Sequence, residues 1–481
     1  MVSSSFDSVP ARSRPMATIQ EHFLFVTDPM QSHIDPARRL AVRVAAAMPN
    51  ARVTFSTAVS GHRDMFPHLT SPDGEVVQGV VSYIPYSDGF DGGFKFNPAE
   101  AHGVGAGAYR ERAREVGSET LASVVARLAR RGHPVTRVVY TALVGWVPAV
   151  ARAHGVPAAL YWVKPATVFA VYYHYFHGHG ALLDSSCCAS DVADPHAAAV
   201  VRLPGLPPLK ADALPSLASM ASPGSRNYLT LDMLRDIFVA LDEHTPTVLV
   251  DTFDALEPEA LRAVPRFNLV AVGPVVVEEP CRPCVELFQP NDATAYVDWL
   301  DTKPARSVVF VSLGSVLSLS KRQDEELRRG LEATGRPYLL VARKGNNGGG
   351  GGQGMVVEWC NQTKVLSHGA VGCFVTHCRW DSTLESITGG VPMVAVPRWA
   401  DQPTVAALVE ASAGVGVRAW VDGDGVVGRG ELRRCVEMVM GSTDSASAVR
   451  ARAECWGQRA KEAAAVGGTS QRNLRAFASG L

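Results

Sequence analysis

Two stretches of the 481-residue chain open in the same way, with a short apolar run, a loop and a helical pattern. The first is Phe23-Leu-Phe-Val26, followed by a helical pattern from Pro36 through Met48. The second is Ser307-Val-Val-Phe-Val-Ser312, then Gly314-Ser315, then a charged helical stretch from Lys321 to Thr334. Similar runs follow the first (Val53-Thr-Phe55, Val138-Val-Tyr140, Ala158-Ala-Leu-Tyr-Trp162, Val248-Leu-Val250) and the second (Tyr338-Leu-Leu-Val341, Cys373-Phe-Val-Thr376, Met393-Val-Ala-Val396). A short run that is apolar at nearly every position belongs to a strand covered on both faces, as in a parallel sheet flanked by helices. Helical patterns such as Ser118–Arg130 separate the runs, so the chain reads as α/β, with two doubly wound halves. Its length, about three single domains' worth, leaves room for both.

The periodicity breaks around Glu278-Glu-Pro280, Pro283, Pro290 and Asn291. The expected division is a disordered 1–16, a first domain over 17–275, a linker over 276–292, a second domain over 293–455 and a C-terminal helical piece over 456–481, with a break at Gly467-Gly468. Lys and Arg number 46 against 47 Asp and Glu, which argues against whole-chain attraction to nucleic acid or an anionic membrane. Nine cysteines, an odd and sparse set, read as thiols in a reducing compartment. Met1–Gln20 carries no apolar signal core, and the greasy Val156–Phe176 region is interrupted by Lys164 and Pro165, so no membrane span is expected. A cytoplasmic protein follows.

Several apparent motifs have simpler readings. Gly103-Val-Gly-Ala-Gly107 is an incomplete dinucleotide fingerprint, and the Gly348–Gly352 run lacks the Lys-Ser/Thr that would meet phosphates. Cys281-Arg-Pro-Cys284 has no second pair at zinc spacing. His368, Cys373, His377 and Cys378 cluster, but Cys373 reads as part of a buried strand, and Asp422-Gly-Asp424 reads as a turn. No metal site is expected.

Trp359 to Gln402 differs in kind: Trp359-Cys-Asn-Gln362, His368, Gly372, Phe374, His377-Cys-Arg-Trp-Asp-Ser382, Glu385, Gly390-Val-Pro392, Pro397 and Asp401-Gln402. This closely resembles the signature box of plant UDP-dependent glycosyltransferases, whose two Rossmann-like domains face a cleft in the GT-B fold. Gln31-Ser-His-Ile-Asp-Pro36, Ser312-Leu-Gly-Ser315 and the last helical region extend the resemblance over nearly the whole chain. Tyr86-Ser-Asp-Gly-Phe90 and Val139-Tyr-Thr-Ala-Leu-Val-Gly-Trp146 resemble the branch that glucosylates anthocyanins or small hormone acids such as auxin.

The resemblance implies an acceptor-binding first domain, a UDP-sugar-binding second domain and a C-terminal helix returning to the first. It implies that Trp359 stacks on uracil beside Cys360, that Gln362 contacts the ribose, and that Glu385 accepts from both ribose hydroxyls. His377, Ser382 and Ser315 would hold the diphosphate, with Asp381 between them, and Trp380, Asp401 and Gln402 would position the sugar. Physically, the strand Cys373–Thr376 and a helical pattern from Ser382 put a helix N-terminus where free amides attract a diphosphate. A competing explanation is that Ser382-x-x-Glu385 merely forms a capping box.

His33 is the candidate base. It follows the first strand and precedes Pro36, a helix-opening residue. A neutral imidazole there takes a proton from an acceptor hydroxyl, whose oxygen attacks the anomeric carbon opposite UDP and inverts it. No cofactor or metal is needed, since helix amides stabilise the leaving diphosphate. The expected partners are UDP-glucose and a small apolar acceptor, with the protein a monomer. Trp146, Trp162, Phe169, Tyr172, Tyr173 and Phe176 offer an aromatic acceptor pocket.

Three positions depart from the family pattern. Arg379 replaces a usual glycine and Asp381 a usual asparagine, and the two are expected to compensate electrostatically. Like charges about 4 Å apart cost about 4 kcal/mol at an effective dielectric near 20, so an uncompensated Asp381 would oppose a diphosphate. Thr141 stands where many relatives place an aspartate beside the base, so either another acid substitutes or the acceptor is itself acidic. Two alternatives remain: a catalytically weakened UDP-sugar binder, and a dinucleotide-dependent oxidoreductase allowed by the α/β pattern alone.

Overall fold

The computed structural model describes residues 20–71, 73–93, 104–188, 199–216, 228–244, 246–274, 295–314, 319–342 and 353–480. The segment 1–16, the linker 276–292, Ser315, Cys281, Cys284 and the Gly348–Gly352 run lie outside them.

The first sheet contains β1 (His22–Thr27), β2 (Arg52–Thr57), β3 (Val76–Gln78), β4 (Val81–Tyr83), β5 (Arg137–Thr141), β6 (Ala158–Trp162), β9 (Val248–Val250) and β10 (Leu269–Ala271). Their spatial order is β10-β9-β6-β5-β1-β2-β4-β3, and every neighbouring pair is parallel except β3 with β4. The short β7 (Val200–Val201) and β8 (Leu209–Lys210) pair separately. The second sheet is wholly parallel, in the order β13-β12-β11-β14-β15-β16. Its strands are β11 (Val308–Ser312), β12 (Tyr338–Val341), β13 (Gly354–Val357), β14 (Val371–Thr376), β15 (Met393–Ala395) and β16 (Gly416–Arg418). Both sheets wind outward in two directions from their first strand, as the paired beginnings in the sequence predict.

The apolar runs are buried on both faces because alternate residues enter different cores. In β1, Phe23 and Phe25 join the core under the Gln31–Ala47 helix, while Leu24 and Val26 join the core on the opposite face. In the second domain Val309, Val311, Cys373 and Val375 fill one face, and Phe310 stacks on Phe374 on the other at 4.9 Å between ring centroids.

Three local expectations are corrected. The first helix starts at Gln31, so Pro36 lies inside it and His33 sits in its first turn. The helix of the signature box starts at Trp380, two residues before Ser382. The proposed boundary at 455/456 falls inside one unbroken helix, Asp444–Ala464, which packs on the second domain through Gly457 against Gly390. The break comes at Gly467-Gly468 instead, and the Thr469–Ser479 helix lies on the first domain. There Phe477 meets Phe23 at 6.4 Å, and the Ser470 hydroxyl donates to the Gly273 carbonyl. Among the described residues no helix is long and apolar enough to cross a membrane.

Candidate functional site

The two sheets face each other across their carboxyl ends, where ligands of doubly wound sheets bind. Among the contacts between the two domains, three each join a segment that follows a strand of one sheet to a segment that follows a strand of the other. Arg39 Nη1, in the helix after β1, donates to Glu385 Oε1 at 2.7 Å. Lys164 Nζ, just after β6, donates to Asp401 Oδ1 at 2.5 Å. Trp380 Nε1 donates to the carbonyl of Asp251, just after β9, at 2.5 Å.

On the second domain, Gln362, Ser382 and Glu385 form one cluster. Gln362 Nε2 donates to Ser382 Oγ at 3.0 Å and to Glu385 Oε2 at 2.7 Å. Glu385 thus points out toward Gln362 and Arg39 rather than back to its own helix amides, which removes the capping-box explanation. The helix N-terminus is occupied locally by Asp381, whose Oδ1 accepts from the Ser382 amide at 2.8 Å. Arg379 grips the same carboxylate with both arms, Nε to Oδ1 and Nη2 to Oδ2, each at 2.6 Å. Burial raises the Asp381 pKa, but the Arg379 charge and hydrogen bonds outweigh it and hold the carboxyl below its ordinary value. The expected compensation of the two departures is therefore direct and bidentate.

His377 follows β14 and lies over Gly314, where an added Cβ would stand 2.8 Å from His377 Nε2. Burial first, then the Arg379 charge, pushes its pKa down to about 4, so the ring is neutral at neutral pH. The neighbouring Cys378 and, near Asp401, Ala400 adopt positive φ values of 64° and 55°. Backbone strain of this kind concentrates at binding sites. Gln402 Oε1 accepts from the amides of Arg398 and Trp399 at 2.8 and 3.2 Å, which fixes the loop carrying Asp401 and leaves the Gln402 amide nitrogen outside those bonds.

Some predicted roles need revision. Trp380 is buried in the contact between the domains with its indole N–H bound to Asp251, so its side chain packs rather than reaching a sugar. Cys360 turns its thiol into the second core and leaves only backbone for a ligand. Trp359 is half-buried just beyond β13. Of the predicted acceptor aromatics, Trp162, Phe169 and Tyr172 are sealed in the first core, with Trp162 Nε1 donating to the Pro165 carbonyl at 3.0 Å. Trp146, Tyr173 and Phe176 are partly buried. Phe169 and Tyr172 are core because the helix Ala166–His174 is buried along most of its length, and Trp162 packs edge-on against Phe169 at 5.4 Å between ring centroids.

His33 is buried at the carboxyl end of β1. Burial, then the positive charges of Lys164 and Arg379, lowers its pKa to about 3, so it enters any reaction as the neutral base. Sequence reasoning missed the residues that meet the site from the other domain or from the adjacent loop: Asp28, Arg39 and Lys164. Asp28 Oδ1 lies 3.7 Å from His33 Nδ1, and burial, reinforced by Asp88, raises that carboxyl to about 8. Asp422 and Asp424 are a turn crossed by Arg322, and the described residues contain no cluster of three or more His, Cys, Asp or Glu able to hold a metal.

Residues 287–425 match the family of UDP-glucoronosyl and UDP-glucosyl transferases. The chain is 40% identical to a UDP-glycosyltransferase of Solanum lycopersicum, over 95% of this chain and 98% of that protein. It is 38% identical to a phloretin 4'-O-glucosyltransferase of Malus domestica, over 95% and 97%. It also resembles the crystal structure of Os79 from O. sativa in complex with UDP, with a TM-score of 0.76 and 28% identity over 96% of this chain and 100% of that one. With the signature cluster assembled on the second of two facing Rossmann-like domains, the chain belongs to the plant family 1 UDP-glycosyltransferases and is an enzyme of the GT-B fold.

Proposed function

We propose that this enzyme transfers glucose from UDP-glucose, with inversion, to a hydroxyl or carboxyl group of a small apolar acceptor, a flavonoid-type phenol or a hormone acid. The observation that carries the reading is a neutral, buried His33 on one side of the gap and the Gln362–Ser382–Glu385 cluster on the other, bridged by Arg39. In this reading Glu385 and Gln362 take the ribose, Trp359 the uracil, and His377 with the amides of the Trp380–Gly389 helix the diphosphate. Asp401, oriented by Lys164, and Gln402 take the glucose hydroxyls. His33 removes the acceptor proton, and the amides at the helix N-terminus receive the charge that develops on the leaving UDP. No metal is needed for this scheme, and the enzyme acts as a cytoplasmic monomer.

The apple relative is named for phloretin and a relative from Perilla frutescens for an anthocyanidin 3-O-glucoside, which supports a phenolic acceptor. Family membership removes the dinucleotide-dependent alternative. Neutralisation of Asp381 by Arg379 removes the electrostatic ground for a weakened binder. The test is mass-spectrometric: purified enzyme, UDP-glucose or other UDP-sugars, and a panel of flavonoids, phenols and carboxylic acids. A glucosylated product made from UDP-glucose in preference to other donors is the expected result. No product from any acceptor, together with thermal unfolding indifferent to UDP, would overturn the reading.

A further inference from the structure

We propose that Asp28 is the positioning acid of His33, accepting the Nδ1–H of the imidazole and so fixing the tautomer whose Nε2 receives the acceptor's proton. The inference rests on His33 being the base, as proposed above.

The geometry comes first. His33 Nδ1 and Asp28 Oδ1 are both buried, neither makes a hydrogen bond, and they face each other at 3.7 Å. Buried polar atoms without partners are uncommon and need a reason. Closing the gap by about 0.7 Å makes a normal hydrogen bond, and such contacts are often long in an empty enzyme and tighten when substrate binds. The segment that carries Asp28, between the first strand and the helix of His33, is pinned. The Thr57 hydroxyl donates to the Asp28 carbonyl and the Tyr86 hydroxyl to the Thr27 carbonyl, each at 2.9 Å. At the end of β5, the neighbour of β1, Thr141 offers only a buried hydroxyl without a hydrogen-bond partner, which cannot balance an imidazolium.

The reaction also requires an acid at this place. The acceptor O–H gives its proton to His33 Nε2, and its oxygen forms the bond to the anomeric carbon. The bond from that carbon to the phosphate oxygen breaks, and UDP leaves with the electron pair. His33 is then an imidazolium whose Nδ1–H needs an anionic acceptor, as an ionised Asp28 provides. A protonated Asp28 does the reverse: it donates to Nδ1, leaves the hydrogen on Nε2, and the ring cannot act. Burial raises Asp28 to about 8 and lowers His33 to about 3, so ionisation of the carboxyl is the titration that prepares the base. The charged and titratable groups around the pair are Tyr86 and Asp88 after β4, Tyr109 of the Val104–Arg130 helix, Lys164 after β6 and Arg379 of the second domain.

Asp28→Asn, His33→Ala and the double variant are to be assayed with UDP-glucose and a phenol, and UDP affinity measured in parallel. The expected result is a kcat for Asp28→Asn reduced roughly 10²–10⁴-fold with UDP affinity unchanged. The double variant is then no slower than His33→Ala alone, since Asp28 acts through the ring. The wild-type kcat/KM rises with pH through about 8, and Asp28→Asn loses that rise. A slow His33→Ala beside an Asp28→Asn at wild-type speed overturns this inference alone, as do losses that multiply in the double variant. A His33→Ala as active as wild type overturns the base assignment, and the inference falls with it.

Discussion

Arg39 of the first domain reaches Glu385 of the second at 2.7 Å, from 346 positions away in the chain. The other oxygen of Glu385 takes Gln362 at 2.7 Å, so the carboxylate proposed to grip the ribose is oriented by one arm from each domain. Arg39 also adds positive charge beside the diphosphate subsite. Arg39→Ala is expected to weaken UDP binding about tenfold, or about 1.4 kcal/mol. Arg39→Lys should recover only part, because an ammonium keeps the charge and loses the planar fork. Isothermal titration with UDP decides it; affinity equal to wild type in Arg39→Ala would show that the contact is only structural.

The bidentate pair between Arg379 and Asp381 makes a coupled prediction. Arg379→Gly alone leaves a partly buried carboxylate unpaired beside the proposed diphosphate subsite and should weaken UDP binding strongly. Asp381→Asn alone removes a negative charge and should leave binding equal or tighter. The double variant should lie near wild type, with a coupling energy of about 0.5–3 kcal/mol. Additive effects on UDP affinity would show that the two side chains act independently.

Gly314 has φ +91°, and a Cβ there would press on His377 Nε2. Gly314→Ala therefore adds backbone strain of about 1–2 kcal/mol and displaces the imidazole. KM for UDP-glucose should rise while the KM for acceptor stays the same. An unchanged donor KM would place the His377 ring outside the donor subsite.

Acceptor chemistry separates what His33 does from what the site does without it. A carboxylic acid is already ionised at neutral pH and needs no base, whereas a phenol or alcohol does. His33→Ala is expected to lose phenol transfer roughly 10²–10⁴-fold and to spare a carboxylate acceptor. Equal losses on both acceptors, measured at saturating UDP-glucose, would assign His33 a binding role.

The pKa of Asp28 makes a stability prediction that needs no assay of activity. Its carboxyl holds its proton up to about pH 8 in the folded protein, but near 3.8 when exposed. Between these values the unfolded chain releases a proton that the folded one retains, so this group's contribution to stability falls as pH rises from about 4 to about 8. Asp28→Asn removes that loss. Its Tm advantage over wild type should be absent near pH 4, grow toward pH 8 and then level off. A Tm difference that does not vary with pH would mean that Asp28 is ionised throughout.

The strands were legible in the sequence because a run such as Phe23–Val26 is short, apolar on both faces and repeated between helical patterns, as a doubly covered sheet requires. The helix starts were not. Met30 and Arg379, which precede the two helices of the site, make no side-chain cap, so the sequence carries no start signal there and Pro36 and Ser382 drew the boundary inward. Aromatics such as Trp162 and Phe169 could not be divided between core and pocket, because that depends on which neighbouring helix covers them. The signature cluster of Gln362, Ser382 and Glu385 was legible because its members are close in sequence, on the two helices that flank the strand Val371–Thr376. Arg39, Lys164 and Asp28 were not, since their partners come from the far domain or from across a turn of the chain.

The return of the Thr469–Ser479 helix to the first sheet means that the polypeptide passes between the two lobes twice, once between 274 and 295 and again between 464 and 469. Two crossings of the chain limit how far the lobes can part more than one would, and the Arg39–Glu385, Lys164–Asp401 and Trp380–Asp251 contacts add to that restraint. Removing the final helix would leave the lobes joined by one crossing of the chain and by those side-chain contacts alone.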